Sequence, residues 1–563
     1  VDGLKFRSNL GLDARTVQDY EFWSAKTSNR GMGTSYAKNA VDKYTMFTLE
    51  NMLFYDKTFN DKHTLGVTLL QSIQEDKRES VNVAMENLPA DNLKYYDLGS
   101  GLVTNTIGSS MIKWNMASFM GRINYNYLGR YLLTVSARYD GSSRLADGHK
   151  WVLFPSAALA WRINEESFMS STSGWLDNLK LRLGFGKTGN SAVDPYQTKG
   201  TLSLIRYPFD NGGTPTIGYA PNAMANSLLT WETTDQWNLG IDFGVLRGRI
   251  NGTIDLYMQN THDLLLKRQL PVVSGFPDVL SNVGKTRNKG IEVSINSMNI
   301  NSKDFQWTTD LMLSSNKEEI VELYNGKNDD IGSKWFIGQP VNVHYDYRKV
   351  GIWQNTESDL AEMAKFAANG TEFAPGDIKI QDVNGDYKIT DADKQILGNP
   401  RPKLIASMVN TFNYKGFDLS VFLYASFGAM LYNDIYAVEH CGRNGGVKVD
   451  YWTPNNPTNA YPRPSIDEER PIYITSTYYE KADFLRVKTM TLGYTLPKTL
   501  TNKFLVEKLR VYFTAQNPFI FTNYTGIDPE AAKVNSAGNP ETNGSGFGTP
   551  SVSSWIFGIN LTL

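Results

Sequence analysis

A single cysteine, five histidines and the lack of any long apolar run already exclude several classes of protein for this chain of 563 residues. Cys441 stands alone, so no disulfide can form within the chain. No stretch approaches the roughly 18 consecutive apolar residues that a membrane helix requires, which excludes a helical membrane protein. Neither sign of charge dominates. The net charge of −2 and pI near 6.3 give no electrostatic reason to expect nucleic acid as a partner. His63, His149, His262, His344 and His440 show no HExxH spacing, and no GxSxG or Walker loop is present, so no enzyme constellation stands out. The glycine cluster around Cys441 (Cys-Gly-Arg-Asn-Gly-Gly) lacks the Lys-Ser/Thr end of a phosphate loop and reads as a flexible loop. Val1 to Leu10 show no charged region followed by an apolar one, which leaves two readings: a removed signal, or a chain that begins inside a longer protein.

What the chain does contain is alternation. Aromatic residues make up 12% and are accompanied by 47 glycines, a combination that favours strands and tight turns over helices. Trp555, Phe557, Ile559, Leu561 and Leu563 alternate with Ile556, Gly558, Asn560 and Thr562. The period recurs at Leu509, Val511, Phe513 and Ala515, and at Trp237, Leu239, Ile241, Phe243 and Val245. It recurs again at Tyr131, Leu133, Val135, Ala137 and Tyr139, where the interleaved residues include Thr134, Ser136 and Arg138. Such segments present one apolar and one polar face. A mean hydropathy of −0.37 does not argue against a membrane barrel, because lipid-facing residues there occupy only alternate positions.

Strand and turn signals predict about sixteen strands, the first over Leu4 to Arg15 and the last over Ser553 to Leu563. Their connections alternate in length. Residues 60–62, Leu128 to Arg130, Arg247 to Arg249, Ile300 to Asp304 and Lys415-Gly416 are tight, whereas 16–43, 81–113, 188–231, 324–401, 428–483 and 523–552 are long. A soluble sandwich or propeller has the same alternation of faces but no reason to alternate its loops. An outer-membrane barrel has short periplasmic turns and long extracellular loops. The expected fold is therefore all-β, a transmembrane antiparallel β-barrel in the outer membrane.

The stretch from Asn124 to Arg144, followed by Phe154-Pro-Ser156 and Ala160-Trp-Arg-Ile163, resembles the SusC/RagA family of TonB-dependent outer-membrane transporters. Further similarities follow in the family's order: Leu179 to Asn190, Leu229 to Asn238, Asn282-Val-Gly284, Asn288 to Glu292, Leu397 to Pro400, Tyr414 to Ser420, Tyr494 to Pro497 and Ala515-Gln-Asn517. The resemblance implies a barrel of 22 strands, so residues 1–563 would be its C-terminal part, with a plug domain and the N-terminal strands outside this chain. It also implies active import of a nutrient oligomer, glycan or oligopeptide, energised by the TonB complex through an N-terminal region not in this chain. A surface lipoprotein of the SusD type would cap the long loops, with 324–401 and 428–483 as its natural contact surface. Outer-membrane lipid would surround the strands. Two other readings stand beside transport: a passive porin-like channel, and a surface adhesin or structural β-protein.

One local motif carries chemistry of its own. Asp382, Asn384 and Asp386 occupy positions one, three and five of an EF-hand-like loop, Lys388 could offer its carbonyl at position seven, and Asp393 stands at position twelve. Hard oxygen donors at that spacing can wrap a structural Ca²⁺ or Mg²⁺, and the alternative is an acidic Asx-turn loop that binds nothing. Tyr387 stands where such loops usually carry glycine, which makes the sharp turn harder, and Asp393 is shorter than the usual Glu. Trp335, Phe336, Tyr345, Tyr347, Trp353, Tyr432, Tyr436, Tyr451, Trp452, Tyr461, Tyr478 and Tyr479 lie in the long loops, where rings either stack on a ligand or pack the loops together. Loop packing is the expected role, and no substrate-binding residue is singled out.

Overall fold

The computed structural model describes residues 2–562 except 32, 208–215, 434–447, 466–470, 505 and 531–550. Sixteen strands form one antiparallel sheet whose order follows the chain from Leu4–Trp23 to Ser554–Thr562. That agrees with the strand number expected from alternation. The chain divides into two compact units.

In the first unit, Leu4–Trp23, Tyr36–Phe59, His63–Glu86 and Val103–Tyr127 run for 20 to 25 residues each, while Tyr131–Ser142 and Trp151–Arg162 have 12 each. Register places Phe6, Leu53, Leu69, Gly121, Ala137 and Pro155 in one row across these six strands. This face is apolar and exposed. The opposite face is polar and satisfies itself: Thr134 donates to Asn124 at 2.9 Å, the Ser136 and Ser156 hydroxyls pair at 2.7 Å, and Arg138 reaches Asp140 at 2.7 Å and Ser118 at 3.0 Å.

Aromatic rings bound the apolar face at both ends. His63, Tyr127, Tyr131 and Trp161 stack in series at one end, and Phe119, Tyr139 and Trp151 at the other. From Tyr131 to Tyr139 the strand climbs about 26 Å at ~3.3 Å per residue, close to the ~25 Å height of a lipid-facing band with its aromatic girdles. Trp151 lies flat there because its cross-strand partner is Gly141, whose missing Cβ would stand 2.4 Å from the ring.

The second unit contains Phe305–Glu322, Leu404–Tyr414, Phe417–Phe427, Phe484–Thr495, Lys508–Thr522 and Ser554–Thr562. In the last strand Trp555, Phe557, Ile559 and Leu561 are all exposed and pair in register with Ala515, Phe513, Val511 and Leu509, the two alternating sets predicted from the sequence. Leu563 falls outside the described residues. The other face of this region holds the Asp418–Arg510 ion pair, with Nε to Oδ1 at 2.8 Å, and the Thr491–Thr514 hydroxyl pair at 2.9 Å.

Short connections stand where expected, at 60–62, 128–130, 246–249, 302–304 and 415–416. The long ones need correction. The stretches 16–43 and 81–113 shrink to 24–35 and 87–102, because Leu4–Trp23, Tyr36–Phe59, His63–Glu86 and Val103–Tyr127 continue far into them. In these portions polar residues interrupt both faces, as in Gln18, Asp19, Glu21, Lys38, Asn39 and Lys43, and the apolar ones between them, such as Val17, Tyr20, Val41 and Ile107, are too scattered to read as strict alternation. A further long connection, 263–284, had no sequence signal and contains a hairpin of Leu265–Gln269 with Asp278–Asn282.

Candidate functional site

The longest connection within the described residues, 323–403, is a folded body. Its helix α1, Glu357–Ala368, begins at Thr356, whose hydroxyl accepts from the Asp359 backbone N–H. Acidic Glu357 and Asp359 occupy the first turn and Lys365 the last, both favourable to the helix dipole. Met363 and Phe366 are buried against Trp353, which in turn lies under the Lys379 ammonium, 4.0 Å above the ring centre. Lys379 is fixed by Asp359 at 3.1 Å and Glu362 at 2.6 Å.

Beside this cluster, Ile352, Ile378 and Ile380 bury themselves with Trp452, Ile474 and Tyr478 from the 428–483 connection. Trp452 Nε1 donates to Gln354 at 2.9 Å, and the Ile352 backbone N–H donates to Asn459 at 2.9 Å. The two loops therefore share one core. Of the loop aromatics picked out in the sequence, Phe336, Trp353, Trp452 and Tyr478 are buried and Tyr451 is exposed. Tyr432 packs edge-on against Tyr478 and Tyr479. Tyr436 lies outside the described residues, as do His440, Cys441 and the glycines that follow it. Phe336, Trp353, Tyr432, Trp452 and Tyr478 are thus engaged in packing within these connections.

Within the same loop, the residues at metal-ligand spacing form a tight turn. Asp382 accepts from the Gly385 N–H at 2.7 Å and the Tyr387 N–H at 2.8 Å. Asn384 accepts from the Asp386 N–H at 3.0 Å, and Asp386 accepts from the Lys388 N–H at 2.8 Å. Asp393 is fully buried and closes the loop from its far end, taking the Val383 N–H at 2.9 Å and the Thr390 N–H at 2.8 Å. Asp391 is held below its usual carboxylate range by hydrogen bonding to Lys394, 2.7 Å away.

Tyr387 takes the left-handed conformation, φ 57°, that glycine usually supplies at that position. The strain, about 1–2 kcal/mol, is offset by its ring, which packs edge-on against Phe366 at 5.5 Å and lies under Lys365. The donor types, hard carboxylate and amide oxygens, fit a divalent cation. Among the described residues, however, no three His, Cys, Asp or Glu side chains converge closely enough to form a metal cage.

The stretches that carried the family resemblance also pack together. Phe154 and Trp231 meet edge-on at 5.4 Å, Gly189 lies against both rings, and Leu229, Leu145 and Val193 complete the cluster. Trp231 Nε1 donates to the Lys150 carbonyl at 2.7 Å. These residues build one core at the base of a long connection.

The sequence matches the family described as TonB dependent receptor-like, beta-barrel, over residues 2–518. The chain belongs to that family. Its exposed apolar band is the lipid-facing side of an outer-membrane β-barrel, and its self-paired polar face is the inner side. TonB-dependent receptor P3 of Formosa agariphila is 32% identical over 581 residues, covering 100% of this chain and 56% of the relative. TonB-dependent receptor SusC of Bacteroides thetaiotaomicron is 35% identical over 434 residues, 74% of this chain and 41% of SusC. This barrel chain thus spans about half the length of the curated relatives it matches. The structure of the RagAB peptide transporter superposes with a TM-score of 0.82 at 21% identity, covering 100% of this chain and 60% of that one. The similarity to SusC and the shared fold accord with the SusC/RagA resemblance read from the motifs. Members of the family are receptors and not enzymes.

Proposed function

We propose that the protein to which this barrel chain belongs imports a nutrient oligomer, a glycan or an oligopeptide, across the outer membrane with energy delivered by the TonB complex. The observation that carries the reading is the 35% identity to SusC, in a chain whose inner face in the first unit pairs Thr134 with Asn124, Ser136 with Ser156 and Arg138 with Ser118. The plug and the TonB-contacting segment would come from the part of the relatives' length that this chain does not span. Uptake of labelled oligosaccharides and oligopeptides by cells carrying or lacking the full-length gene tests this. Import that stops with a protonophore supports it, and uptake that continues unchanged refutes it in favour of a passive channel.

A SusD-like lipoprotein would seat on the long-connection side. Support comes from the shared core of 323–403 and 428–483, which gives a partner a shaped surface in place of mobile loops. Cross-linking from sites on these loops should capture the lipoprotein. Capture from the short turns at 60–62 or 415–416 instead would refute it.

A structural Ca²⁺, or Mg²⁺, in loop 382–393 is part of the same proposal. Asp382, Asn384, Asp386, Asp393 and the Lys388 carbonyl would hold it, and the left-handed turn at Tyr387 supports the reading. Extracellular Ca²⁺ modules bind at about 10⁻⁴–10⁻³ M, so millimolar Ca²⁺ should raise the loop's resistance to protease and Asp382→Ala should abolish the effect. Equal protection with EDTA would overturn it.

A further inference from the structure

The lipid-facing side of the first unit contains a polar interruption. Ser8, Asn51 and Gln71 stand directly opposite one another in three neighbouring strands, two residues from Phe6, Leu53 and Leu69 with no register shift between, and so on the same side. Leu10, Leu49 and Ile73 form the next row in the other direction. Apolar residues thus bound the three along every strand. The Ser8 hydroxyl donates to Asn51 Oδ1 at 2.8 Å, and Asn51 Nδ2 donates to Gln71 Oε1 at 2.8 Å. The ladder ends there: among the described residues, Gln71 Nε2 donates to no acceptor.

Beyond Gln71 the same row continues through Phe119, Tyr139 and Leu153, and the row of Phe6 continues through Gly121 and Ala137. Together the two rows line a groove of about 590 Å³, and both Asn51 and Gln71 open into it. Nothing larger than a methyl group rises from its middle, at Gly121 and Ala137. Its depth follows from register: Trp151 belongs to the row of Leu10, Leu49 and Ile73, so the ladder lies two residues, about 7 Å, further into the apolar band than Trp151. This end of the band is the extracellular one, because the tight turns 60–62 and 128–130 close the opposite end. Headgroups lie at the girdle and outside it. An amide N–H left unpaired inside the band is costly, so a polar partner at this depth has to be carried on an acyl chain.

We propose that this groove holds an acyl chain of an outer-leaflet lipid that bears a hydroxyl close to its linkage, as a 3-hydroxyacyl chain does. A hydroxyl both donates and accepts, so it takes a hydrogen bond from Gln71 Nε2 and returns one to the remaining lone pair of Gln71 Oε1 or Asn51 Oδ1. Leu53, Leu69 and Leu153 give the methylenes an apolar wall. Two kinds of lipid carry that chemistry: lipid A with 3-hydroxyacyl chains, and N-(3-hydroxyacyl) amino-acid lipids. The inference rests on the outer-membrane location and not on import, so loss of lipid selectivity and loss of transport are separate outcomes.

The test uses the full-length protein purified in detergent, with bound lipid counted by native mass spectrometry. The probes are lipid A with 3-hydroxyacyl chains, lipid A with plain chains, and an N-(3-hydroxyacyl) amino-acid lipid beside its plain counterpart. A hydroxylated form should survive a detergent exchange that removes the plain one, and the pair with the larger ratio identifies the source. Gln71→Leu removes the donor at similar volume. It should cut retention of the hydroxylated lipid about tenfold, as expected for one hydrogen bond lost in an apolar setting, and leave the plain lipid and the heat-modifiable migration of the folded barrel unchanged. Ala137→Leu fills the floor of the groove and should lower retention of the hydroxylated lipid as well. Equal retention of hydroxylated and plain forms by the unaltered protein overturns the proposal without any variant. A Gln71→Leu variant that keeps the selectivity overturns it too, as does one that loses association with another protein chain in place of lipid.

Discussion

Phe119 and Trp353 are both large apolar rings, yet Phe119 is 52% exposed and Trp353 1%. The first sits in a strand of the lipid-facing band, flanked by Tyr139 and Trp151 and with no protein above it. The second sits in the 323–403 connection, enclosed by Met363, Phe366 and Phe373. Both depend on burial, but the strand obtains it from the bilayer and the loop from its own chain. The loop body is thus built like a small soluble domain, with a capped helix and a shared aromatic core, while the strands are built for hydrocarbon. Mutations in the two regions should therefore fail in different assays.

The largest effect is expected from Trp353→Ala, which removes the ring between α1 and Lys379 at a cost of about 3–5 kcal/mol to the loop body. Protease should then cut within 323–403 while the barrel still migrates as folded. Loss of the barrel as well would show that the two regions do not stand apart. Ala137→Arg puts a charge in the middle of the lipid-facing row and should cost about 2–4 kcal/mol when the barrel refolds into vesicles. Ser136→Arg, on the polar face, should cost far less, and loop proteolysis should be unchanged in both. Equal costs for the two substitutions would mean that the faces are assigned the wrong way round.

The same contrast explains what could be read from the sequence. Strands with one face in lipid alternate strictly, and Tyr131, Leu133, Val135, Ala137 and Tyr139 occupy the side predicted for them. Thr16 to Trp23 and Tyr36 to Lys43 extend the sheet past the apolar band, where polar residues interrupt both faces and period two weakens, so these residues read as loop. The core of Ile352, Ile378, Trp452 and Tyr478 was also hidden, because its members lie up to 126 residues apart in the chain (Ile352 to Tyr478) and share no local period. In the candidate metal loop, the spacing of Asp382, Asn384, Asp386 and Asp393 is legible in the sequence, and in the structure the first three accept from the backbone of one tight turn that Asp393 closes. Spacing could not foresee that Tyr387 adopts the glycine conformation, since that depends on Phe366 and Lys365 being brought beneath its ring.

A smaller effect separates the regions by pH. His344, in the 323–403 connection, is buried, and burial lowers its pKa below the ordinary 6.5; its Nε2 lies 2.8 Å from the Met430 carbonyl. Because the unfolded loop binds the proton more readily, the loop keeps its full stability above about pH 6.5. That stability is lost as pH falls from there toward the lower folded value. Protease resistance of the loop should drop between pH 7.5 and 5.5, and His344→Gln should flatten the profile. A barrel melting transition that moves in parallel with the loop would break the distinction.

The smallest effect concerns two residues that share a left-handed backbone but not their surroundings. Lys415, φ 45°, precedes Gly416 in the two-residue turn between Tyr414 and Phe417, and Tyr387 occupies the corresponding conformation in the loop. Replacing Lys415 by Asn suits a hairpin turn of this kind and should recover about 1 kcal/mol of strain. It also gives up the Lys415 ammonium over the Tyr414 ring, worth about 0.5 kcal/mol at an exposed site. The net gain should be about 0.5 kcal/mol, visible as slower unfolding of the barrel. Tyr387→Gly removes the same kind of strain but also the ring against Phe366, a larger loss, so it should destabilise the loop. Opposite signs for the two substitutions are expected because water surrounds the first side chain and protein the second; the same sign for both would remove that distinction.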